Sequence, residues 1–360
     1  LSPALEMHLE TLNYNLRYNF PKIGEFDVIA GLQGMFQTNK NYGEEILIPD
    51  ASTTDIGFFT TAHYHLKDWD FQGGLRYDFR DLTTAEFVAE NEENIQAIDR
   101  NYTSLNGALG AKYQLDETFI LRLNLASGFR APNLSELTSN GTHNGANRYE
   151  IGNPDLKNEQ NFQADLSAEL RNEHFEAFIN AFSNQVRDYI YINPTNRPEV
   201  NDAIVYQYEQ EDAHLYGGEI GFHLHPHPID WLHLETSFET VTGKLDKNEY
   251  LPLIPANSLT NTFRVEFQKG KFIKEKYAFL KLKNVFAQNN PGEFETSTKG
   301  YGLLAAGAGG TFNFQKMEVN LSISGNNLLN KSYISHLSRL KTDNLFNIGR
   351  NFMVSANISI

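Results

Sequence analysis

With eleven histidines and no cysteine, the metal chemistry open to this chain has no thiolate ligands and can draw on imidazole and oxygen. His143 stands in the polar run Asn140-Gly141-Thr142-His143-Asn144-Gly145. A neutral imidazole there suits iron or zinc, and the glycines let the backbone approach a bulky ligand. The plainer reading is a solvated loop histidine. Arg148 and Tyr149, a few residues on, join His143 as candidate ligand contacts. His223, His225 and His227 sit at alternate positions, and on an extended strand the first two share a face. Pro226 and Pro228 break that pattern, so these three read as structural. His336, with Tyr333 and Arg339, is a further polar group able to join a substrate surface. An acidic run containing Glu86, Glu90, Glu92, Glu93 and Asp99 is either a solvated face or an oxygen-ligand site for a hard cation.

None of these groups has catalytic spacing. The chain lacks G-x-S-x-G, P-loop, H-E-x-x-H and EF-hand patterns, so it is not expected to be an enzyme. Missing cysteine also excludes disulfide scaffolds and thiolate metal sites. A formal net charge of −15 argues against a nucleic-acid binder, which would carry a basic stripe. No apolar run approaches the roughly 20 residues that a membrane-spanning helix needs. The chain opens on Leu1-Ser2-Pro3, with neither a start methionine nor a basic leader, which reads as a processed chain or a fragment.

The elements that must position these side chains have a period of two. Leu12, Tyr14, Leu16 and Tyr18 alternate with Asn13, Asn15, Arg17 and Asn19. Phe71, Leu75, Tyr77 and Phe79 alternate with Gln72, Arg76, Asp78 and Arg80. The same holds for Phe162, Ala164, Leu166, Ala168 and Leu170, for Met317 to Ile323, and for Phe352 to Ile360. Successive strand side chains point to opposite faces, so each segment has one apolar and one polar face. A soluble sandwich also alternates, but its strands cluster near 5–6 residues. Many segments here keep the pattern for about 10 or more, the length of a tilted strand crossing a bilayer. Tyr18, Phe20, Trp69, Phe71, Phe119, Trp231 and Tyr277 lie near segment ends, where interfacial girdles belong.

Connections alternate between short and long. Short ones fall near 21–24, 67–68, 116–117, 172–173, 226–228 and 315–316. Long ones fall near 38–54, 81–101, 130–160, 193–205, 243–257, 289–299 and 328–345. Short periplasmic turns and long extracellular loops mark an outer-membrane barrel. About fifteen strands result, and because single-chain bacterial barrels have an even number, strands are expected ahead of Leu1.

Two boxes carry a family likeness. Gly128-Phe129-Arg130-Ala131-Pro132-Asn133-Leu134-Ser135-Glu136-Leu137 and Tyr149-Glu150-Ile151-Gly152-Asn153-Pro154-Asp155-Leu156-Lys157 resemble the paired "FRAP" and "NPDL" boxes of TonB-dependent outer-membrane receptors. Leu253 to Asn257, Gly325 to Tyr333 and Gly349 to Phe352 resemble the family's later segments, so the likeness runs from about Phe119 to Ile360. One departure is the terminal Ile360, where the family usually has Phe, which weakens the assembly signal. The boxes also have plain physical roles. Pro132 and Pro154 suit chain exits from a sheet, and Arg130 can pair with Glu136 to hold the loop base.

The resemblance implies an all-β fold: a transmembrane antiparallel up-and-down β-barrel, present in part, about 15 of about 22 strands. Residues 1–360 would be the C-terminal portion of that barrel, with the plug domain and the TonB-binding segment outside the sequence. The implied function is energy-coupled uptake of a scarce nutrient in the bacterial outer membrane. Implied partners are outer-membrane lipid, TonB and a small-molecule or metal-chelate ligand, with no intrinsic cofactor. The cargo would be a ferric siderophore, haem or a metal such as zinc. Haem-uptake members carry a histidine between the two boxes, which by resemblance makes His143 an iron or zinc ligand. The alternatives are a passive porin or adhesin barrel, and a soluble all-β module. By this topology the 223–227 histidines lie at a periplasmic turn, and Tyr333 and His336 in the last outer loop.

Overall fold

The computed structural model describes residues 6–42, 48–88, 94–143, 148–200, 203–268, 270, 272–314 and 317–359. Glu90, Glu92, Glu93, Ile360 and the side chain of His143 fall outside the described residues. Glu86 and Asp99 are exposed.

The chain runs β1 (Met7–Asn19), β2 (Phe26–Asn41), β3 (Ala51–Leu66), β4 (Trp69–Thr84), β5 (Asp99–Gln114) and β6 (Phe119–Arg130). A short helix α1 (Leu134–Thr138) and two four-residue strands, β7 (Asn140–His143) and β8 (Arg148–Ile151), follow. Then come β9 (Glu159–Arg171), β10 (Phe175–Pro194), β11 (Ile204–Leu224), β12 (Leu232–Leu245), β13 (Ser258–Phe267) and β14 (Ile273–Val285). β15 (Tyr301–Phe314), β16 (Met317–Asn326) and β17 (Asn351–Ser359) complete the described chain.

Among the described residues, seventeen strands are thus fifteen long ones plus the β7–β8 ribbon inside the 130–160 connection. The long strands pair antiparallel with sequence neighbours, as the alternation requires. In β1–β2 the register is Met7↔Asn41 to Asn19↔Ile29, and in β3–β4 it is Ala51↔Thr84 to Leu66↔Trp69. Among the described residues, β8 departs from a pure meander. β8 runs parallel to the outer end of β11, with Arg148 opposite Ile204 and Ile151 opposite Gln207.

The chain clusters into two compact units. The first holds residues 1–113, 123–164 and 184–214, and the second 114–122, 165–183 and 215–360. In each, the apolar alternates of the long strands are on the surface. Leu12 and Leu16 are each 64% exposed, Leu166 57%, and Val354 74%. A soluble sandwich would bury those faces against a second sheet, whereas lipid-facing strands leave them bare for hydrocarbon.

Burial concentrates instead under the long connections. In the first unit Leu82, Leu137, Leu156 and Ile190 form one cluster, and Tyr149, Ala203 and Val205 another. In the second, Leu245 and Leu251 are buried in the 243–257 connection.

Aromatics collect at the short-turn ends. Trp69 stacks on Phe71 at 5.4 Å and on Tyr113 at 4.4 Å, and Phe26 stacks on Tyr64 at 4.6 Å. Trp231 stacks on Phe267 at 5.5 Å in the second unit. Amphipathic rings in that position sit at the headgroup level of a bilayer.

Candidate ligand-facing loop and its anchor

Arg130 ends β6 and reaches two carboxylates. Its Nη1 donates to Glu136 at 2.7 and 2.9 Å, while Nε and Nη2 donate to Glu159 at 2.9 and 2.7 Å. The sequence pointed to Glu136. Glu159, twenty-nine positions away at the start of β9, is the partner it did not reveal. Glu159 also accepts the Ile190 amide at 2.7 Å, which ties β10 to the same point. A planar guanidinium serving two carboxylates in fork geometry is the strong form of this contact.

The helix that presents Glu136 is fixed by its own first residues. The Asn133 side chain accepts the Glu136 amide at 3.0 Å, and the Glu136 carboxylate accepts the Asn133 amide at 2.9 Å. This is a reciprocal cap. The second box docks against the helix. The Asn153 amide donates to the Glu136 carbonyl at 2.8 Å, and the Gly152 amide to the Ser139 carbonyl at 2.6 Å. A Cβ on Gly152 would lie 2.6 Å from backbone atoms of Leu137 and Thr138, so only glycine fits this approach. Leu156 then enters the cluster with Leu82, Leu137 and Ile190. Lys157 and Gln210 exchange two hydrogen bonds of 2.8 Å. The two boxes therefore build the base that holds the 130–160 connection on the sheet.

That base positions the β7–β8 ribbon. His143 is the last residue of β7 and pairs with Arg148 of β8. Arg148 donates to Glu150 at 2.5 Å and lies 5.4 Å from the Tyr206 ring. Tyr149 is buried beside Ala203 and Val205, and its hydroxyl donates to Asn140 at 2.9 Å. In this arrangement Tyr149 is buried, and Arg148 keeps a half-buried edge.

In the same unit, residues of β1–β4 and the end of β6, among them Asp55, Arg76, Asp78 and Arg80, line a cleft of about 720 Å³. Arg80 forks onto Asp55 at 2.6 and 2.7 Å, and Arg76 bridges Asp78 at 2.8 Å and Gln33 at 2.6 Å. Alternation already put Arg76, Asp78 and Arg80 on one face. Their cross-strand partners depend on register, which the chain does not display locally.

The remaining candidates belong to the second unit. Tyr333 stacks on Tyr301 at 4.4 Å. His336 is 6% exposed, with Nδ1 2.9 Å from the Thr298 hydroxyl and 3.2 Å from Lys341 Nζ, and Nε2 3.4 Å from Glu295. The Asn327 amide clips the same connection, accepting the Lys331 amide at 2.8 Å and donating to its carbonyl at 2.9 Å. His143, Arg148 and Tyr149 are thus one group, and Tyr333 and His336 another. Arg339 is exposed.

His336 makes this loop sensitive to pH. Burial, then the Lys341 ammonium, holds its pKa below the ordinary 6.5, while Glu295 opposes the shift. Because the folded value lies below the unfolded one, the neutral ring's contribution is complete above about pH 6.5 and is lost as pH falls through the folded value. Acidification from pH 7.5 to 5 should therefore lower the protection of the Ser338 and Lys341 amides, which donate within this loop, relative to their intrinsic exchange rates at each pH. His336→Gln, which cannot charge, should flatten that dependence. An unchanged pH profile in the variant would contradict the assignment.

The comparisons with known proteins agree with this architecture. The family model described as TonB dependent receptor-like, beta-barrel matches residues 6–328. The copper transporter OprC superposes with a TM-score of 0.82 at 18% identity, covering 97% of this chain and 56% of its own. The FrpB iron transporter from Neisseria meningitidis (F3-3 variant) gives 0.69 at 16% identity, covering 98% and 55%. The ferric-catecholate import receptor Fiu from K12 E. coli gives 0.66 at 15%, covering 97% and 54%. The chain spans a little over half the length of these structures, and at such identities the likeness carries the fold.

Proposed function

The chain belongs to the TonB-dependent receptor β-barrel family of the bacterial outer membrane, and from that premise we propose that the whole protein imports a scarce metal-bearing nutrient with energy delivered through TonB. The family is one of transport receptors. Three observations support the proposed cargo class. The similar structures are described as handling copper, iron and a ferric catecholate. The 130–160 connection is held by the Arg130 fork rather than left as free chain. A histidine ends the strand that this anchored connection presents. The anchor is the observation that carries the reading, since ordering a loop in advance reduces the entropy lost on capture.

In this reading His143 contacts the cargo, with Arg148 at the edge of the same ribbon. Haem needs one axial imidazole from such a loop, whereas a bare ion needs further ligands. The cleft of the first unit suits passage of a hydrophilic cargo. Its arginines are matched by Asp55, Asp78 and Gln33, so it offers hydrogen bonds without a free charge that would trap an ion.

The test is growth of a strain in which the full-length receptor is the sole route for ferric siderophore, haem, zinc or copper, with and without TonB. We expect TonB-dependent growth on one of these, and weaker capture by His143→Ala. Growth that persists without TonB would replace this reading with a passive porin.

A further inference from the structure

At the short-turn end of the second unit, two turns bring five imidazoles together. Asn172 shapes the first turn: its side chain accepts the amides of His174 at 3.0 Å and Phe175 at 2.9 Å. The His225 amide donates to the His174 carbonyl at 2.9 Å, which sets the β9–β10 turn against the 225–231 turn. The ring centroid of His174 is then 5.8 Å from that of His225 and 5.4 Å from that of His227. His223 and His233 stand behind them, with His223 Nε2 2.8 Å from His233 Nδ1.

We propose that His174, His225 and Asp230, with His227 as a fourth ligand, form a site for a divalent transition metal at the periplasmic rim, distinct from the outer loops. One ligand atom from each of the first three lies within 4.8 Å of the others. His227 Nδ1 is 3.6 Å from Asp230, so it borders the same point. The set is imidazole-rich with one carboxylate, which suits zinc, copper or nickel rather than calcium or magnesium. Zn–N bonds of about 2.0–2.1 Å place neighbouring tetrahedral ligands roughly 3.3 Å apart, so modest side-chain rotation closes the site.

A second observation points the same way. His174 Nδ1 is shielded from solvent and has no hydrogen-bond partner. The nearest carboxylate oxygen, on Asp230, is 3.8 Å away, too far for a hydrogen bond. A buried acceptor or donor left unmatched costs stability unless something fills the gap, and a cation between the two groups would do so. His223 is already engaged with His233 and lies 3.9 Å from Glu176, while His233 is 3.5 Å from Glu266. Those outer contacts hold the second row of rings in place, as outer partners do around metal ligands. The prolines that interrupt the histidine run do not separate its members. They turn the chain so that His225, His227 and Asp230 face the His174 turn.

The full-length receptor, in detergent and carrying His143→Ala so that the proposed cargo loop is silent, should be titrated with zinc at pH 7.5. We expect one zinc per chain with micromolar affinity, weakened at least tenfold by His174→Gln or Asp230→Asn. Trp231 follows Asp230 directly. Copper should therefore quench, at the same stoichiometry, a fluorescence component that Trp231→Phe removes, and His174→Gln should abolish this quenching. His8→Gln, in β1 of the first unit, should leave both signals unchanged. No saturable binding below about 100 μM zinc, or equal binding by the His174 and Asp230 variants, would overturn the site. Because the loop histidine is absent throughout, neither result depends on the cargo proposed above.

Discussion

Leu166→Arg should destabilise the folded receptor by about 2–4 kcal/mol, and Asp165→Arg, one residue away, by clearly less. Leu166 is 57% exposed in the middle of β9. In a bilayer that exposed side is hydrocarbon. A guanidinium there must give up its hydration, drag water inward or stretch towards the headgroups. Asp165 points to the opposite face of the same strand, where the alternates are polar. Arginine there loses the contacts the aspartate makes but stays hydrated. The measurement is urea unfolding of the full-length receptor in lipid vesicles, with the two variants compared at matched expression. Equal costs would mean that the exposed apolar alternates do not face lipid.

That contrast rests on the part of the fold that was legible in the chain. Alternation is a local property, because side-chain direction in a strand is set by the residue's own backbone. The runs Leu12 to Tyr18 and Phe162 to Leu170 therefore announced both their strands and their faces. Loop sorting followed from where alternation stopped. The β7–β8 ribbon was not legible, since its two four-residue strands are too short to show a period. Its parallel docking on β11 joins residues more than fifty positions apart. The α1 helix carries a local signal, Asn133 followed three residues later by Glu136, but five residues are too few to show a helical period. Long-range geometry also hid Glu159 from Arg130 and His174 from His225. In each case a register between distant strands makes the contact, and no single segment displays that register.

Removing the cation at the loop base should give the second large effect. In Arg130→Met, the carboxylates of Glu136 and Glu159 lose their shared partner. Both side chains are nearly enclosed, at 11% and 12% exposure, so they repel each other with little solvent screening. Taking one partner from a fully buried ion pair costs about 3–5 kcal/mol. Arg130 itself is 41% exposed, and water can enter where it stood. A local cost of about 2–3 kcal/mol is therefore expected. It should appear as opening of the 130–160 connection rather than global unfolding, since the strand pairings do not pass through this contact.

The readout is hydrogen exchange at Gly152, Asn153 and Ile190, whose amides are bonded within this anchor. Exchange should rise on the order of 100-fold, while amides in β13–β16 stay unchanged. Glu159→Gln in the Arg130→Met background should recover part of the loss, because one of the two repelling charges is gone. Cargo affinity should weaken alongside, since a loop that is open most of the time binds in proportion to its ordered fraction. If exchange at the three amides is unaffected by Arg130→Met, the fork is incidental, and Gly152 packing with the Leu82–Leu156 cluster holds the loop alone.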